Sequence, residues 1–174
     1  KDITAQKKLY ETIEENEQRL KMAIESTNLG TWEFYPQSGV LHWSHECRNI
    51  FNVPDDMKVD YEFFSRHIHP EDEKWVERKV KEAMDPKGDG KYDIKYRIVR
   101  FEDGQIRWIR ARGHVDFNRK KEPVRFIGTV LDITEEKRYE IALKENVELF
   151  TTMVDNVPAM IWMSGDDRFA EATS

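Results

Sequence analysis

The stretch GTVLDIT, residues 128–134, decides how this chain folds. Its first half is rich in β-prone residues, whereas Asp132 and Thr134 are residue types that cap the start of a helix. The acidic Glu135 and Glu136 follow, and negative side chains are favoured in the first turn of a helix. The stretch therefore predicts a strand that passes directly into a helix.

Three strands are predicted before this helix, at about 92–98, 106–117 and 124–133. In the first two, apolar and charged residues alternate, which places the apolar side chains on one face. The sequence EDGQ at 102–105 is typical of a hairpin turn. This pattern indicates an antiparallel sheet with one buried face.

The segment before these strands has a different order of elements. Two short strands are expected at 31–35 and 40–43, followed by short helices near 44–51, 61–67 and 70–85. The order of two strands, several helices and three strands predicts an α+β domain. We expect five antiparallel strands with the short helices over one face, flanked by an N-terminal and a C-terminal helix.

Both flanking helices carry apolar residues at the seven-residue spacing of a coiled coil. In the leader these are Ile3, Tyr10 and Ile24, with Ile13 and Leu20 on the companion series. In the C-terminal helix they are Ile133, Val147 and Val154, with Leu143 and Phe150. We expect a homodimer that forms through the helical leader or through a face of the sheet.

The end of the chain repeats its beginning at an offset of about 130 residues, which places Trp162 where Trp32 stands. The repeat predicts a second domain that is truncated after its first strand. We therefore expect four segments: a helical leader (1–27), a sensor domain (28–134), a linker helix (135–148) and the start of a second domain (149–174). The first residue is Lys1, and we expect the chain to be part of a longer protein.

The composition argues against several classes of function and location. The chain has 174 residues, of which 36% are charged, and its net charge of -6 comes without a basic stripe, so nucleic acid is not an expected partner. The single cysteine, Cys47, cannot form an internal disulfide. No apolar run approaches the roughly 20 residues of a membrane span. We expect a cytoplasmic segment and leave open whether the parent protein is attached to a membrane.

Several motifs in this order resemble the PAS family, in the subgroup that carries a PAC motif. The matching residues are Gly30 to Phe34, Trp43-Ser44, Ile50-Phe51, His69 to Asp72, Tyr96-Arg97, Asp103-Gly104, Trp108-Ile109 and Gly128 to Thr134. The resemblance implies a sensory and dimerising module of a bacterial signalling protein. The expected output is a histidine kinase of a two-component system, or a diguanylate cyclase or phosphodiesterase, in the same chain. A ligand-free dimerisation adaptor is the alternative.

In this fold the inner sheet face and the helices enclose the usual ligand pocket. A small-molecule site would therefore recruit Phe51, Phe63, Phe64, Ile94 and Ile109. The aromatic residues Trp32, Phe34, Trp43, Tyr96 and Trp108 are expected in the core and on the sheet. The sequence does not identify the ligand or any cofactor.

A second candidate set concerns transmission of a signal from the sheet to the helix. Arg110 and Arg112 share one face of the penultimate strand, and Asp132 ends its neighbour, just before Thr134. We expect a charged contact between these arginines and Asp132 that couples the sheet to the helix. The alternative is that Asp132 only caps the helix.

Three further motifs are candidates for a reactive or ligand-binding role. Cys47 suggests the reactive cysteine of flavin-binding relatives, but its sequence context differs from theirs. The box around His45 resembles the phospho-acceptor site of histidine kinases, but it sits in a short helix. His67 and His69 are candidate haem or metal ligands, although relatives place a haem ligand on the later helix. No catalytic residue and no metal ligand is assigned.

Overall fold

The structure is a computed structural model that describes residues 2–165, with side chains for 2–22 and 27–157. Its elements are α1 (Asp2–Ser26), β1 (Gly30–Tyr35), β2 (Val40–Trp43), α2 (His45–Phe51), α3 (Tyr61–Arg66), α4 (Glu73–Met84), β3 (Lys91–Val99), β4 (Ile106–Phe117), β5 (Pro123–Asp132) and α5 (Thr134–Gly165). The chain divides into two compact units, Lys1–Thr134 and Glu135–Ser174.

The strands of the first unit form one antiparallel sheet in the order β2-β1-β5-β4-β3. Its centre is therefore β5, the strand that ends in the GTVLDIT stretch. The five antiparallel strands and the α+β class that the sequence predicts are confirmed. Alternation in β3 buries its apolar side chains at every second position, which turns that face toward the helices.

Helices α2 and α3 begin where capping side chains accept hydrogen bonds from the free backbone amides of the first turn. Ser44 Oγ accepts a hydrogen bond from the Cys47 amide at 3.2 Å, and Asp60 Oδ1 accepts one from the Phe63 amide at 2.7 Å. Asn52 ends α2 in the left-handed region at φ 55°. These caps hold α2 and α3 even though each is shorter than two turns.

The core lies between the inner sheet face and these helices. The most buried side chains come from both layers and include Phe51, Val76, Ile98, Ile109 and Val115. On α4 the buried residues are Val76, Val80 and Ala83, at the spacing of one helix face.

The flanking helices are described separately. The side chains of α1 from residue 2 to 22 are exposed along its length, including apolar Ile3, Tyr10 and Leu20. Helix α5 runs to Gly165, so position 162 is helical and does not occupy the strand that the internal repeat predicts. The domain boundary at 149 remains a prediction. None of the helices in the described part of the chain is long and apolar enough to cross a bilayer.

Candidate functional site

A row of paired residues across the middle of the sheet shapes the interior. From edge to edge it reads Trp43, Trp32, Gly128, Gly113 and Tyr92. The Trp32 indole lies over both glycines: a Cβ on Gly113 would stand 2.8 Å from the Trp32 ring, and one on Gly128 would overlap it. The missing side chains of two adjacent strands thus make the groove into which a tryptophan fits.

Beside this tryptophan lies a cavity of about 50 Å³. Its wall is mostly aromatic and includes Trp32, Trp43, Phe51 and Phe126, packed edge to face or tilted. The Trp32 and Phe126 ring centroids are 4.8 Å apart, and those of Trp43 and Phe51 are 4.4 Å apart. A space of this size holds a few water molecules or a small apolar group, so the core is nearly full.

The polar groups in the cavity wall are a thiol and phenols. Burial raises the pKa of the Cys47 thiol, and it raises the pKa of Tyr92 and of Tyr96. Each of these groups is therefore neutral at physiological pH. The cavity therefore offers an uncharged, mostly aromatic surface.

The residues predicted for a ligand pocket divide into two groups. Phe51 and Phe64 line the cavity. Ile94 and Ile109 are buried in the surrounding core, while Phe63 stacks on the His67 ring at 4.2 Å. Facing the core was thus enough for burial but not for contact with the cavity, which depends on position along the strand.

Four aromatic residues expected in the core and on the sheet, Trp32, Phe34, Trp43 and Tyr96, do line the cavity. The fifth, Trp108, lies beside Arg97, whose guanidinium carbon is 5.6 Å from the indole centroid. The alternation of β1, β2 and β3 in the sequence is the signal for the first four. It marks the inner face, and the cavity lies where that face meets α2 and α3.

The cavity does not fit haem or flavin. Cofactor pockets in proteins are hundreds of cubic ångströms, against about 50 Å³ here. His67 Nδ1 lies 2.7 Å from the Phe63 carbonyl, and neither His67 nor His69 lines the cavity. Within residues 2–165, no group of three or more His, Cys, Asp or Glu side chains is placed to hold a metal ion.

The box that resembles a phospho-acceptor site also has a local explanation. His45 is exposed on the seven-residue helix α2, and its Nδ1 lies 3.0 Å from the Asp55 carboxylate. The hydrogen bond to Asp55 raises the pKa of His45. This is a surface pair between a helix and the loop that follows it.

The joint between β5 and α5 is held by hydrogen bonds to β4. The Trp108 amide donates to Thr134 Oγ1 at 3.0 Å, and the Ile133 amide donates to the Trp108 carbonyl at 2.8 Å. The Thr134 amide donates to Asp132 Oδ1 at 2.9 Å. Thr134 is 4% exposed, so the first residue of α5 is buried against the sheet.

The predicted contact between Asp132 and the two arginines is replaced by two separate arrangements. Arg110 and Arg112 bind Asp93 on β3, at 2.8 and 3.1 Å. The hydrogen bond from Arg110 lowers the pKa of Asp93. Asp132 pairs across the sheet with buried Ile109, so alternation puts it on the opposite face from both arginines.

The ion pair between Arg97 and Asp72 was not predicted from the sequence. Arg97 on β3 donates to both Asp72 oxygens, at 2.6 and 3.0 Å, and its backbone amide donates to Asp72 Oδ2 at 2.9 Å. These bonds lower the pKa of Asp72 and fasten the start of α4 to the sheet. Asp72 and Arg97 belong to different motifs of the sequence, and they come into contact only in the folded chain.

Comparison with known proteins agrees with this architecture. The family model described as PAS fold matches residues 40–130. A crystal structure of a sensory box histidine kinase/response regulator from Burkholderia thailandensis is 29% identical, with a TM-score of 0.66, and covers 77% of this chain and 98% of that one. The chain belongs to the PAS fold family.

Curated relatives are signalling proteins of greater length. Sensor protein FixL of Bradyrhizobium diazoefficiens is 29% identical over 85% of this chain, and a blue-light-activated histidine kinase of Brucella ovis is 33% identical over 70%. The probable diguanylate cyclase DgcE of Escherichia coli is 24% identical over 90%. The chain spans 29%, 24% and 14% of these relatives. It is a PAS sensor domain homologous to those of histidine kinases.

Proposed function

We propose that this chain is the sensory and dimerising segment of a larger bacterial histidine kinase of a two-component system. The observation that carries the proposal is the bonded joint at the end of the sheet. Trp108, Ile133 and Thr134 tie the first residue of α5 to β4. A change in the geometry of the sheet must then move the start of the helix that leads toward the output domain.

Two sets of contacts on opposite sheet faces support a role in transmission. Arg110, Arg112 and Asp93 link β3 and β4 on the outer face, while Asp132 and Thr134 fix the joint from the inner one. A ligand shifts such a system only by its difference in affinity for the two states. The pairs of Arg110 and Arg112 with Asp93 therefore affect the response more than the stability, since partly exposed pairs contribute only about 0–1 kcal/mol.

The test is autophosphorylation of the intact protein carrying Asp132→Ala. Removal of the carboxylate frees the Thr134 amide and should alter the dependence of kinase activity on the input signal. Asp116→Ala on the same sheet is the matched control. A signal response equal to that of the wild type in Asp132→Ala would refute the relay.

The aromatic cavity is proposed as the ligand site of this module. Its neutral wall and small volume select a small apolar molecule. Native mass spectrometry and solvent extraction of the purified chain would show such a molecule. A chain that retains and takes up no small apolar compound would favour the ligand-free adaptor.

Dimerisation is proposed through the exposed apolar series of α1. Ile13 and Leu20 are 44% and 66% exposed and fall on one seven-residue series. Light scattering should show a dimer that dissociates in Ile13→Glu/Leu20→Glu. Leu9→Glu is the control, because Leu9 is also exposed but lies off both series. Equal loss of the dimer in both proteins would point to another interface.

The similarity to DgcE favours a diguanylate cyclase as the second candidate. The two outputs differ in their substrate. The intact protein would transfer the γ-phosphate of ATP to a histidine in the first case, and would join two GTP molecules in the second. A nucleotide turnover assay on that protein decides between them.

A further inference from the structure

A second concavity lies at one end of the sheet, outside the aromatic cavity. It is a cleft of about 330 Å³ beside the chain segments where the sensor domain begins and ends. Its walls come from the connection between α1 and β1, from α2, and from residues just after β3, near the start of β4 and at the end of β5. Small-molecule sites begin at about this volume.

Charged groups of both signs line the cleft. They are Arg100 and Arg107 on one hand and Glu46 and Asp132 on the other. Arg100 and Arg107 expose only 18% and 25% of their side chains. The distance from Arg107 Nη1 to Asp132 Oδ2 is 3.9 Å, which is too long for a direct hydrogen bond, while Arg107 Nη2 donates to Gln105 and Asp132 Oδ1 accepts from Thr134.

Arg100 supplies an independent observation. Its Nη1 pairs with Asp103 at 2.9 Å, but its buried Nε has no hydrogen-bond partner within residues 2–165. A buried donor without an acceptor is costly, and a guanidinium edge matches a carboxylate in geometry. Because the Nε has almost no accessible surface, a ligand in the cleft would meet the guanidinium at its terminal nitrogens.

We propose that the cleft binds a small zwitterion of the α-amino acid type. Its carboxylate would lie against Arg100 and Arg107, and its ammonium group against Glu46 and Asp132. A simple anion would leave the two acidic groups without an opposite charge on the ligand. A simple cation would leave the two guanidinium groups without one. Two positive and two negative groups in one cleft are best matched by a ligand that carries both charges.

The position of the cleft gives such a ligand a regulatory consequence. Asn28 precedes β1, and Asp132 is the last residue of β5. A bound molecule would contact residues at both ends of the domain. It would therefore bias the joint at Thr134 independently of whatever occupies the aromatic cavity.

The test is isothermal titration calorimetry of the 174-residue chain with the twenty standard amino acids, with acetate and with methylammonium. We expect at least one amino acid to bind, and both single-charge probes to bind more weakly. Arg100→Gln should lower the affinity about ten- to hundredfold, the effect of losing a charge-assisted hydrogen bond. Asn49→Trp, which adds bulk at an exposed position of the wall, should also abolish binding.

Arg78→Gln is the matched control, because Arg78 is exposed on α4 and lies outside the cleft. It should leave the affinity unchanged. Circular dichroism establishes that each variant is folded. The proposal is overturned if no amino acid binds, if acetate binds as tightly as the best amino acid, or if Arg100→Gln and Asn49→Trp bind like the wild type.

Discussion

Replacement of Thr134 by valine removes one oxygen from the joint between sheet and helix and changes little else in shape. Thr134 Oγ1 accepts from the Trp108 amide at 3.0 Å and also contacts Asp132 Oδ1 at 2.5 Å. Valine has the same branching, so packing is retained. The Trp108 amide, however, loses its acceptor in a part-buried position.

The expected cost follows from these contacts. The loss of a hydrogen bond at a part-buried backbone donor costs about 0.5–1.5 kcal/mol, and the lost hydroxyl bond to Asp132 adds to this. The methyl group of valine offsets part of it through better burial. We expect the free energy of unfolding to fall by about 2 kcal/mol. With a urea slope of about 2 kcal/mol/M, the unfolding midpoint falls by about 1 M.

Urea unfolding followed by tryptophan fluorescence measures this change, and hydrogen exchange of the Trp108 amide locates it. Thr151→Val is the control, because Thr151 Oγ1 donates to the Val147 carbonyl in the preceding turn of α5. It should move the midpoint little. A Thr134→Val protein with wild-type stability and an equally protected Trp108 amide would refute the assignment of Thr134 as the anchor.

Three further outcomes follow from the core and its ion pairs. Gly128→Ala should destabilise the fold by about 3 kcal/mol in urea unfolding, because its Cβ would overlap Trp32 and a neighbouring strand. Arg97 holds the pKa of Asp72 below its ordinary 3.8. The stability that this ion pair contributes is therefore present above about pH 4 and is lost as the pH falls through the lowered pKa. In Asp72→Asn, the free energy of unfolding should depend less on pH in this acid range. Cys47 is 1% exposed and burial raises its pKa, so a disulfide reagent should modify it only at the rate of unfolding.

The elements were largely predictable because their signals are local. Alternation along β3 and β4, the turn residues between them and the capping residues after β5 each act within a few positions. The outcome for Asp132 shows the limit. Its helix-capping role follows from its neighbours in sequence, whereas its separation from Arg110 and Arg112 depends on the register of β5 against β4.

The candidate site was only half predictable for a related reason. Phe51 and Phe64 line the cavity, and Ile94 and Ile109 do not, although all four were named from the same expectation, that the inner sheet face and the helices enclose the pocket. Periodicity tells which face of a strand is buried. It does not tell how far along the strand a helix crosses, and that crossing decides where the space remains.

The amino-acid sequence by itself determined the strand and helix order, the antiparallel α+β class and the direct passage from β5 into α5, because each depends on propensities and spacings within a short segment. Only the tertiary structure decided that Trp32 lies over two glycines, that Arg97 binds Asp72, and that Arg100 and Arg107 share a cleft with Glu46 and Asp132. These are contacts between residues distant in sequence. They exist only once strand register and helix packing bring the side chains within reach of one another.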